Sequence, residues 1–365
     1  MRLQKLWLSN YRNYHQLNLN IPPGISLFIG RNGEGKTNLL EAVFYLATMS
    51  SFRTTNLETL IFTEGQLSKI SNEAIIRGEV IAGGRELLLE AAIRQSGRSR
   101  FQLNRQKIHR RDLLGIMPIS MFVPDDLALL KSSPAERRRF LDETLVHINP
   151  RLHTIQIEME SILRHRNALL RQSEGRLDGI DETTLNIWDH KFITVGEQLG
   201  KARRNLVKQL APRVSDTYCK IVSQKVTVTV DYQSVWQPGE LQIALADNRK
   251  EDLRRGVTTV GPHRDDLNLF INNKPARTHA SQGEQRTLAL TLRLAAHQEL
   301  AEVTGEAPLL LLDDVFSELD EERIRGVLAT LVAEQTLLTA TGKLPVDLAY
   351  DACFKVRAGE VMLET

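Results

Sequence analysis

The sequence predicts a mixed α/β fold interrupted by a helical lobe. Three observations point there. Apolar runs of strand length recur near both ends of the chain, and one of them, "ISLFIG" (25–30), leads into a glycine-rich loop and then a helical pattern. The middle of the chain carries apolar residues at alternating spacings of three and four, the signature of helices that share a seam. The last third returns to short buried strands. A chain of 365 residues, 42% apolar and 25% charged, has the length for one large core or two domains and the composition of a globular protein.

Taken in order, residues 1–126 form the first part of the α/β lobe. "LQKLWLSNYRNYHQLNLNI" alternates apolar and polar residues around a polar turn, as a hairpin does. "NLLEAVFYLATMS" has helical period. Leu87, Leu89, Ala91 and Ile93 alternate, turn at "QSGR" and resume at Phe101 and Leu103, a second hairpin. Residues 127–225 form the helical lobe. Ser133, Pro134 and Glu136 read as a capping-box start. Leu152, Ile155, Met159, Ile162 and Leu169 line one helix, with Arg166 filling an expected apolar slot. Leu185, Trp188, Phe192, Val195, Leu199, Ala202 and Leu206 line the next. These two helices predict a short antiparallel coiled-coil-like hairpin; two amphipathic helices lying on a globular core fit the same periodicity. Residues 226–365 return to strands, with "KVTVTVDY", "DDLNLFINNKPA", a helix from Ser281 to about Val303, "PLLLLDD", a helix from Glu321 to Glu334, and "TLLTAT" as the last strand.

Some function classes are set aside early. The net charge of +2 says little about a polyanionic partner, so any such case rests on local clusters. Two distant cysteines, Cys219 and Cys353, make neither a disulfide framework nor a zinc site. No apolar run approaches membrane-spanning length and the N-terminus lacks a signal peptide's apolar core, so a cytoplasmic protein without a membrane partner is expected.

"GRNGEGKTN" carries the sharpest chemistry. Gly30, Gly35, Lys36 and Thr37 stand at Walker A spacing between a strand and a helix, the context that motif requires. Glycines let backbone N–H groups curl around phosphate oxygens, and the helix start adds partial positive charge. Gly30, Arg31, Asn32, Gly33, Glu34, Gly35, Lys36, Thr37 and Asn38 are therefore read as the ATP-binding run, with Lys36 at the β/γ-phosphates and Thr37 on Mg²⁺. "LLLLDD" (309–314) ends a buried strand in two acids. Asp313 is placed as a second Mg²⁺ ligand and Asp314, with Lys36, as catalytic, Asp314 orienting or deprotonating the attacking water. Helix-capping aspartates are the structural alternative.

"SQGEQ" (281–285) adds a Ser hydroxyl and a glycine at a helix start, and Glu284 would also complete a capping box with Ser281. The order of phosphate loop, Ser-x-Gly-Glu helix start, acidic strand end and "SELD" (317–320) resembles the P-loop ABC-type ATPase head. In that family the signature of one subunit faces the nucleotide on another, so the resemblance implies that Ser281, Gly283, Glu284 and Asp320 join the site from a second copy of the chain. Within that group the chain resembles the RecF family of the SMC-like branch. The resemblance is carried by "NYRNY" (10–14), "GRNGEGKTNLLEA" (30–42), "SFRT" (51–54), "PDDLALLKSSPAERRRFLD" (124–142), "TTVGPHRDDL" (258–267), "SQGEQRTLALTLRLA" (281–295) and "LLLLDDVFSELD" (309–320). It implies an ATP-dependent homodimer on DNA, weak DNA-stimulated hydrolysis used as a switch, and help in placing RecA at single-strand gaps with RecO and RecR. Arg12 is expected near the nucleotide by the same resemblance. The sequence departs from transporter ATPases: no Q-loop glutamine or switch histidine is evident, Asp314 stands where those domains carry Glu, and a long insertion separates Thr37 from Ser281. An ATPase subunit of another ABC-type complex, such as a transporter, is the alternative.

DNA contacts rest on a local surplus. From Arg94 to Arg111 the chain has no acid, and Arg98, Arg100, Arg105, Lys107, Arg110 and Arg111 are candidate phosphate contacts, together with Arg53. A charged hairpin edge that resists aggregation explains the same residues. No base-reading motif is present, so duplex DNA and gapped or single-stranded junctions would be recognised through backbone and shape.

Overall fold

The computed structural model describes residues 1–62, 72–96, 99–113, 115–172, 181–331, 333–342 and 348–364, without the side chains of 110, 111, 127, 128 and 318. The chain divides into two compact units. The first comprises Met1–Leu127, Lys220–Gln224 and Arg293–Thr365; the second comprises Ala128–Cys219 and Lys225–Leu292.

The first unit opens with β1 (Arg2–Tyr11), β2 (Tyr14–Asn20), β3 (Gly24–Ile29) and α1 (Lys36–Thr48). It continues with β4 (Glu73–Ala82), β5 (Arg85–Arg94), β6 (Arg100–Leu103), β7 (Gln106–Lys107), the short α2 (Arg110–Leu113) and β8 (Ile119–Phe122). The second unit holds α3 (Pro134–Ile148), α4 (Leu152–Gln172), α5 (Glu182–Val222) as far as Cys219, β9 (Val228–Gln233), α6 (Leu241–Asp247), α7 (Arg249–Arg255), β10 (Asp266–Ile271), β11 (Lys274–Pro275), α8 (Ala276–His279) and the start of α9 (Gln282–Thr304). The chain then returns to the first unit through the rest of α9, β12 (Leu309–Asp313), α10 (Glu321–Thr330), β13 (Gln335–Ala340), β14 (Ala352–Arg357) and β15 (Glu360–Leu363).

Two six-stranded sheets build the first unit. One is antiparallel in the order β2-β1-β4-β5-β6-β7; the other runs β15-β14-β3-β13-β12-β8. In the second sheet β14, β3, β13, β12 and β8 are parallel, so their carboxyl ends share one edge. Leu309 to Leu312 are buried on both faces, as a central parallel strand requires. Helix α1 packs between the sheets through Leu39, Leu40, Val43 and Leu46.

The second unit resolves the heptad question. The α4–α5 seam residues Met159, Ile162, Phe192, Val195 and Leu199 form one core with Trp236, Leu241, Leu245 and Val260, so the helical hairpin is part of a globular unit. Arg166, in its apolar slot, is fully buried. Its Nε donates to Asp189 (2.7 Å) and its Nη1 to Asp252 and Thr258 (both 2.7 Å). Arg203 grips Asp142 with two bonds of 2.7 and 2.6 Å, and Arg137 grips Asp266 with bonds of 2.8 and 2.7 Å. His263 donates from Nε2 to the Thr258 carbonyl (2.9 Å), which leaves Nδ1 without its proton, and burial lowers its pKa to about 4.

Several expectations change. Residues 226–292, assigned from sequence to the α/β lobe, belong to the second unit with their own three-stranded sheet β11-β10-β9. "TLLTAT" is followed by β14 and β15, whose short, charge-flanked pattern gave no strong alternation. Ser133 begins α3 without a side-chain cap; Pro134 follows it and the Glu136 amide bonds the Ser133 carbonyl instead (3.1 Å). Helix α10 ends at Thr330. Among the described residues no helix is long and apolar enough to cross a membrane.

Candidate nucleotide site

Sheet order creates the site. β3 and β12 lie on either side of β13, and Thr339 of β13 is level with Phe28 on one side and Asp313 on the other. The loop after β3 and the acids after β12 therefore emerge at the same edge, where ligands of parallel sheets bind. The loop is shaped by Gly33 (φ 83°) and Gly35 (φ 116°), both left-handed, and the Gly30 amide is tied to the Ala340 carbonyl (3.3 Å).

Lys36 folds back across this loop, and Nζ donates to the carbonyls of Gly30 (2.7 Å) and Arg31 (2.9 Å). Burial holds its pKa below the ordinary lysine value, against the opposing pull of Asp314, Asp313 and Glu34. The Thr37 hydroxyl donates to Asp313 Oδ1 at 3.0 Å, and the Thr339 hydroxyl donates to the same oxygen at 2.7 Å. Burial raises the Asp313 pKa; the Thr339 and Thr37 bonds and the charges of Arg53 and Lys36 oppose it. Asp314 takes a left-handed backbone (φ 48°), and its amide donates to Thr339 Oγ1 (3.0 Å). Thr339 thus holds the Asp313 carboxylate and the Asp314 backbone.

The donor set fits Mg²⁺. With its hydrogen committed to Asp313, Thr37 Oγ1 keeps lone pairs for a hard cation, and the Asp313 carboxylate stands beside it. Among the described residues no three His, Cys, Asp or Glu side chains form a metal cage by themselves. Mg²⁺ does not need one, since it takes one or two protein oxygens and completes its shell with phosphate and water.

The other expected residues fall in different places. The Glu34 carboxylate accepts the Ala358 amide, so only its backbone belongs to the loop surface. Arg12 is committed to the buried Glu41 of α1 through two 2.8 Å bonds and to the Thr59 carbonyl at 3.0 Å; it braces α1. Arg53, expected at DNA, is half-exposed and reaches Asn38 Oδ1 at 2.7 Å, next to Thr37. Asp320 caps α10 by accepting the Arg323 amide (2.9 Å). Arg31, Asn32 and Gly33 are exposed.

At the other helix start the capping box is realised. The Ser281 amide donates to Glu284 Oε2 (2.7 Å) and the Glu284 amide to Ser281 Oγ (3.3 Å), with Ser281 exposed. Gln285 is buried and directs Nε2 at the carbonyls of Ala276, Arg277 and Ala280 (3.0–3.2 Å), which anchors the chain leading into Ser281. Its role is visible in sequence only as a polar residue at an inward helical position. On the basic hairpin Arg100, Arg105 and Lys107 are exposed, with Asn104 and Arg105 both left-handed in the β6–β7 turn. Arg98 and the side chains of Arg110 and Arg111 lie outside the described residues.

The family model for the RecF/RecN/SMC N terminal domain matches residues 2–355. A protein of Acidothermus cellulolyticus described as DNA replication and repair protein RecF is 41% identical over 96% of this chain and 97% of its own length. The chain belongs to the RecF family. A solved structure of the recombination mediator protein RecF with ATP, in the RecFOR pathway, is 31% identical to this RecF-family chain, with a TM-score of 0.88 over 100% of it and 97% of that protein. An Smc head bound to the C-winged helix domain of ScpA matches with a TM-score of 0.60 at 16% identity, over 100% of this chain and 97% of that one, and shares the fold. The architecture is that of an ATPase head of the RecF and SMC kind, with its helical lobe inserted.

Proposed function

We propose that this RecF-family chain is an ATP-dependent DNA-binding protein of recombinational repair. It dimerises on DNA with ATP held between subunits, hydrolyses the nucleotide slowly as a switch, and acts in the cytoplasm. The observation that carries the reading is the convergence of Lys36, Thr37, Asp313 and Asp314 at one sheet edge, with Thr339 bonded to the Asp313 carboxylate and the Asp314 amide. The structure of a relative with ATP in the RecFOR pathway supports the nucleotide and the pathway. By the same kinship the chain works with RecO and RecR to load RecA at single-strand gaps.

Each residue has a role suited to its chemistry. Backbone amides of Gly33 to Lys36 bind phosphate oxygens and Lys36 neutralises their charge. Thr37 and Asp313 would hold Mg²⁺, which supplies further neutralisation of phosphate charge when bound. Asp314, half-buried and short, orients the attacking water and takes its proton. Ser281 and Gly283 of a second copy complete the phosphate shell, and the basic hairpin contacts DNA backbone.

Light scattering with ATP and Mg²⁺ tests the reading. The mass should double, and Asp314→Asn should trap the dimer. A monomer at every protein concentration tried excludes the sandwich. DNA affinity measured across salt should be higher with ATP than with ADP on gapped or duplex substrates; equal affinity excludes the nucleotide switch.

A further inference from the structure

The phosphate loop has a back as well as a face. Its amides serve the face; the Glu34 and Gly35 carbonyls and the Glu34 side chain serve the back, and two turns from opposite ends of the chain take them up. From the β1–β2 turn, Asn13 Nδ2 donates to the Glu34 carbonyl (2.9 Å) and Tyr14 donates from its hydroxyl to the Gly35 carbonyl (3.0 Å). Asn13 Oδ1 in turn accepts Asn38 Nδ2 (2.8 Å). From the β14–β15 turn, the Gly359 amide donates to the Glu34 carbonyl (3.1 Å) and the Ala358 amide to the Glu34 carboxylate.

The fit leaves no room for side chains. A Cβ on Gly359 would lie 2.2 Å from the Asn13 carbonyl oxygen, and one on Gly30 would lie 2.4 Å from that of Val356. Ala358 (φ 48°) and Gly359 (φ 81°) are consecutive left-handed residues, the geometry of a tight hairpin turn that offers both amides to one partner. Glu34 is an acid in a loop that must receive a polyanion. Its engagement by the Ala358 amide holds that charge at the turn while the same turn fixes the loop backbone.

We propose that the β14–β15 turn is a positioning element of the nucleotide site, and that Glu34 is the residue through which it sets the phosphate loop. This rests on the nucleotide-binding reading above. A loop shaped before the nucleotide arrives binds it without the cost of ordering, so the effect belongs in affinity and not in the chemical step.

The test uses the full chain, a fluorescent ATP analogue for Kd, and steady-state ATP hydrolysis, with Lys36→Ala as the non-binding control. Glu34→Ala should raise Kd and KM by roughly tenfold, the scale of a lost bond to a charged acceptor, with kcat within about twofold. Glu34→Gln keeps an acceptor for the Ala358 amide and should recover most of the affinity. Gly359→Ala should weaken binding at least as much. If the parent binds and Glu34→Ala binds as tightly or more tightly, the turn does not set the loop. Should Gly359→Ala fail to fold, the half-buried Glu34 pair decides. A parent that binds no nucleotide overturns the functional reading and this inference with it, whereas a binding parent with indifferent variants overturns this inference alone.

Discussion

The molecule holds two clusters of charge built on different terms. In the second unit Arg166, Arg203 and Arg137 are buried and gripped by Asp189, Asp252, Asp142 and Asp266 at 2.6–2.8 Å. Those bonds link helices and strands of one globular unit. In the first unit Lys36, Thr37, Asp313 and Asp314 gather at a sheet edge, and their contacts are with loop carbonyls and two threonines. Arginines closed on aspartates hold a fold. An ammonium, a hydroxyl and two carboxylates with lone pairs to offer at a strand end are equipped for a ligand. Buried charge alone therefore does not mark a functional site; what the charge is bonded to does.

The sharpest way to break the contrast is Arg166→Met. It leaves Asp252 buried without its guanidinium, and the unfolding free energy should fall by about 3–5 kcal/mol in urea titration, with nucleotide affinity of the still-folded protein unchanged. A tenfold loss of nucleotide affinity in folded Arg166→Met would merge the two clusters into one system.

Next comes pH. His263 is buried and neutral with its pKa lowered from 6.5 to about 4, so the unfolded chain takes up a proton at higher pH than the folded one. Stability is therefore full above about 6.5 and falls as the pH drops toward about 4, by up to about 3 kcal/mol. His263→Gln should flatten that limb of the unfolding free energy against pH; an unchanged slope would assign the acid sensitivity to other groups.

Thr339→Val addresses the site alone. It removes the hydroxyl that directs Asp313 and accepts the Asp314 amide while keeping the volume. The Mg²⁺ concentration that half-saturates nucleotide binding should rise about tenfold, as for other partners of metal ligands, with Thr339→Ser close to parent. A Val variant with parental Mg²⁺ dependence would leave Asp313 oriented by Thr37 alone. The smallest effect is expected at the exposed Arg139–Glu143 pair of α3 (2.8 Å), where Arg139→Ala should change unfolding by about 0.5 kcal/mol or less.

Much of this was legible in the sequence. Gly30 to Thr37, the four leucines before Asp313, and Ser281 with Glu284 are runs of neighbouring residues whose spacing already states their local structure. Arg166 was legible as an anomaly, a charged residue in an apolar slot, but not as an ion pair, because Asp252 lies far along the chain. Arg12 and Arg53 both lie in sequence near the phosphate loop, but Arg12 goes to Glu41 of α1 while Arg53 goes to Asn38 at the end of the ATP-binding run, a division made by packing around α1. The boundary at 226 failed because strand alternation shows that a segment is β without showing which sheet it joins; β9 and β10 pair with each other in the second unit.

By itself the sequence determined the local chemistry: a glycine loop that can bind phosphate, a strand that ends in two acids, and a capped helix start with a serine. These depend on backbone geometry and periodicity over a few consecutive residues. Tertiary structure decided that Thr339 stands between the loop and the acids, that Glu34 turns its charge to the Ala358 amide, and that 226–292 fold with the helices. Each depends on strand order or on a bond between residues distant in the chain, and spacing along one dimension carries no record of which distant backbone will supply the partner.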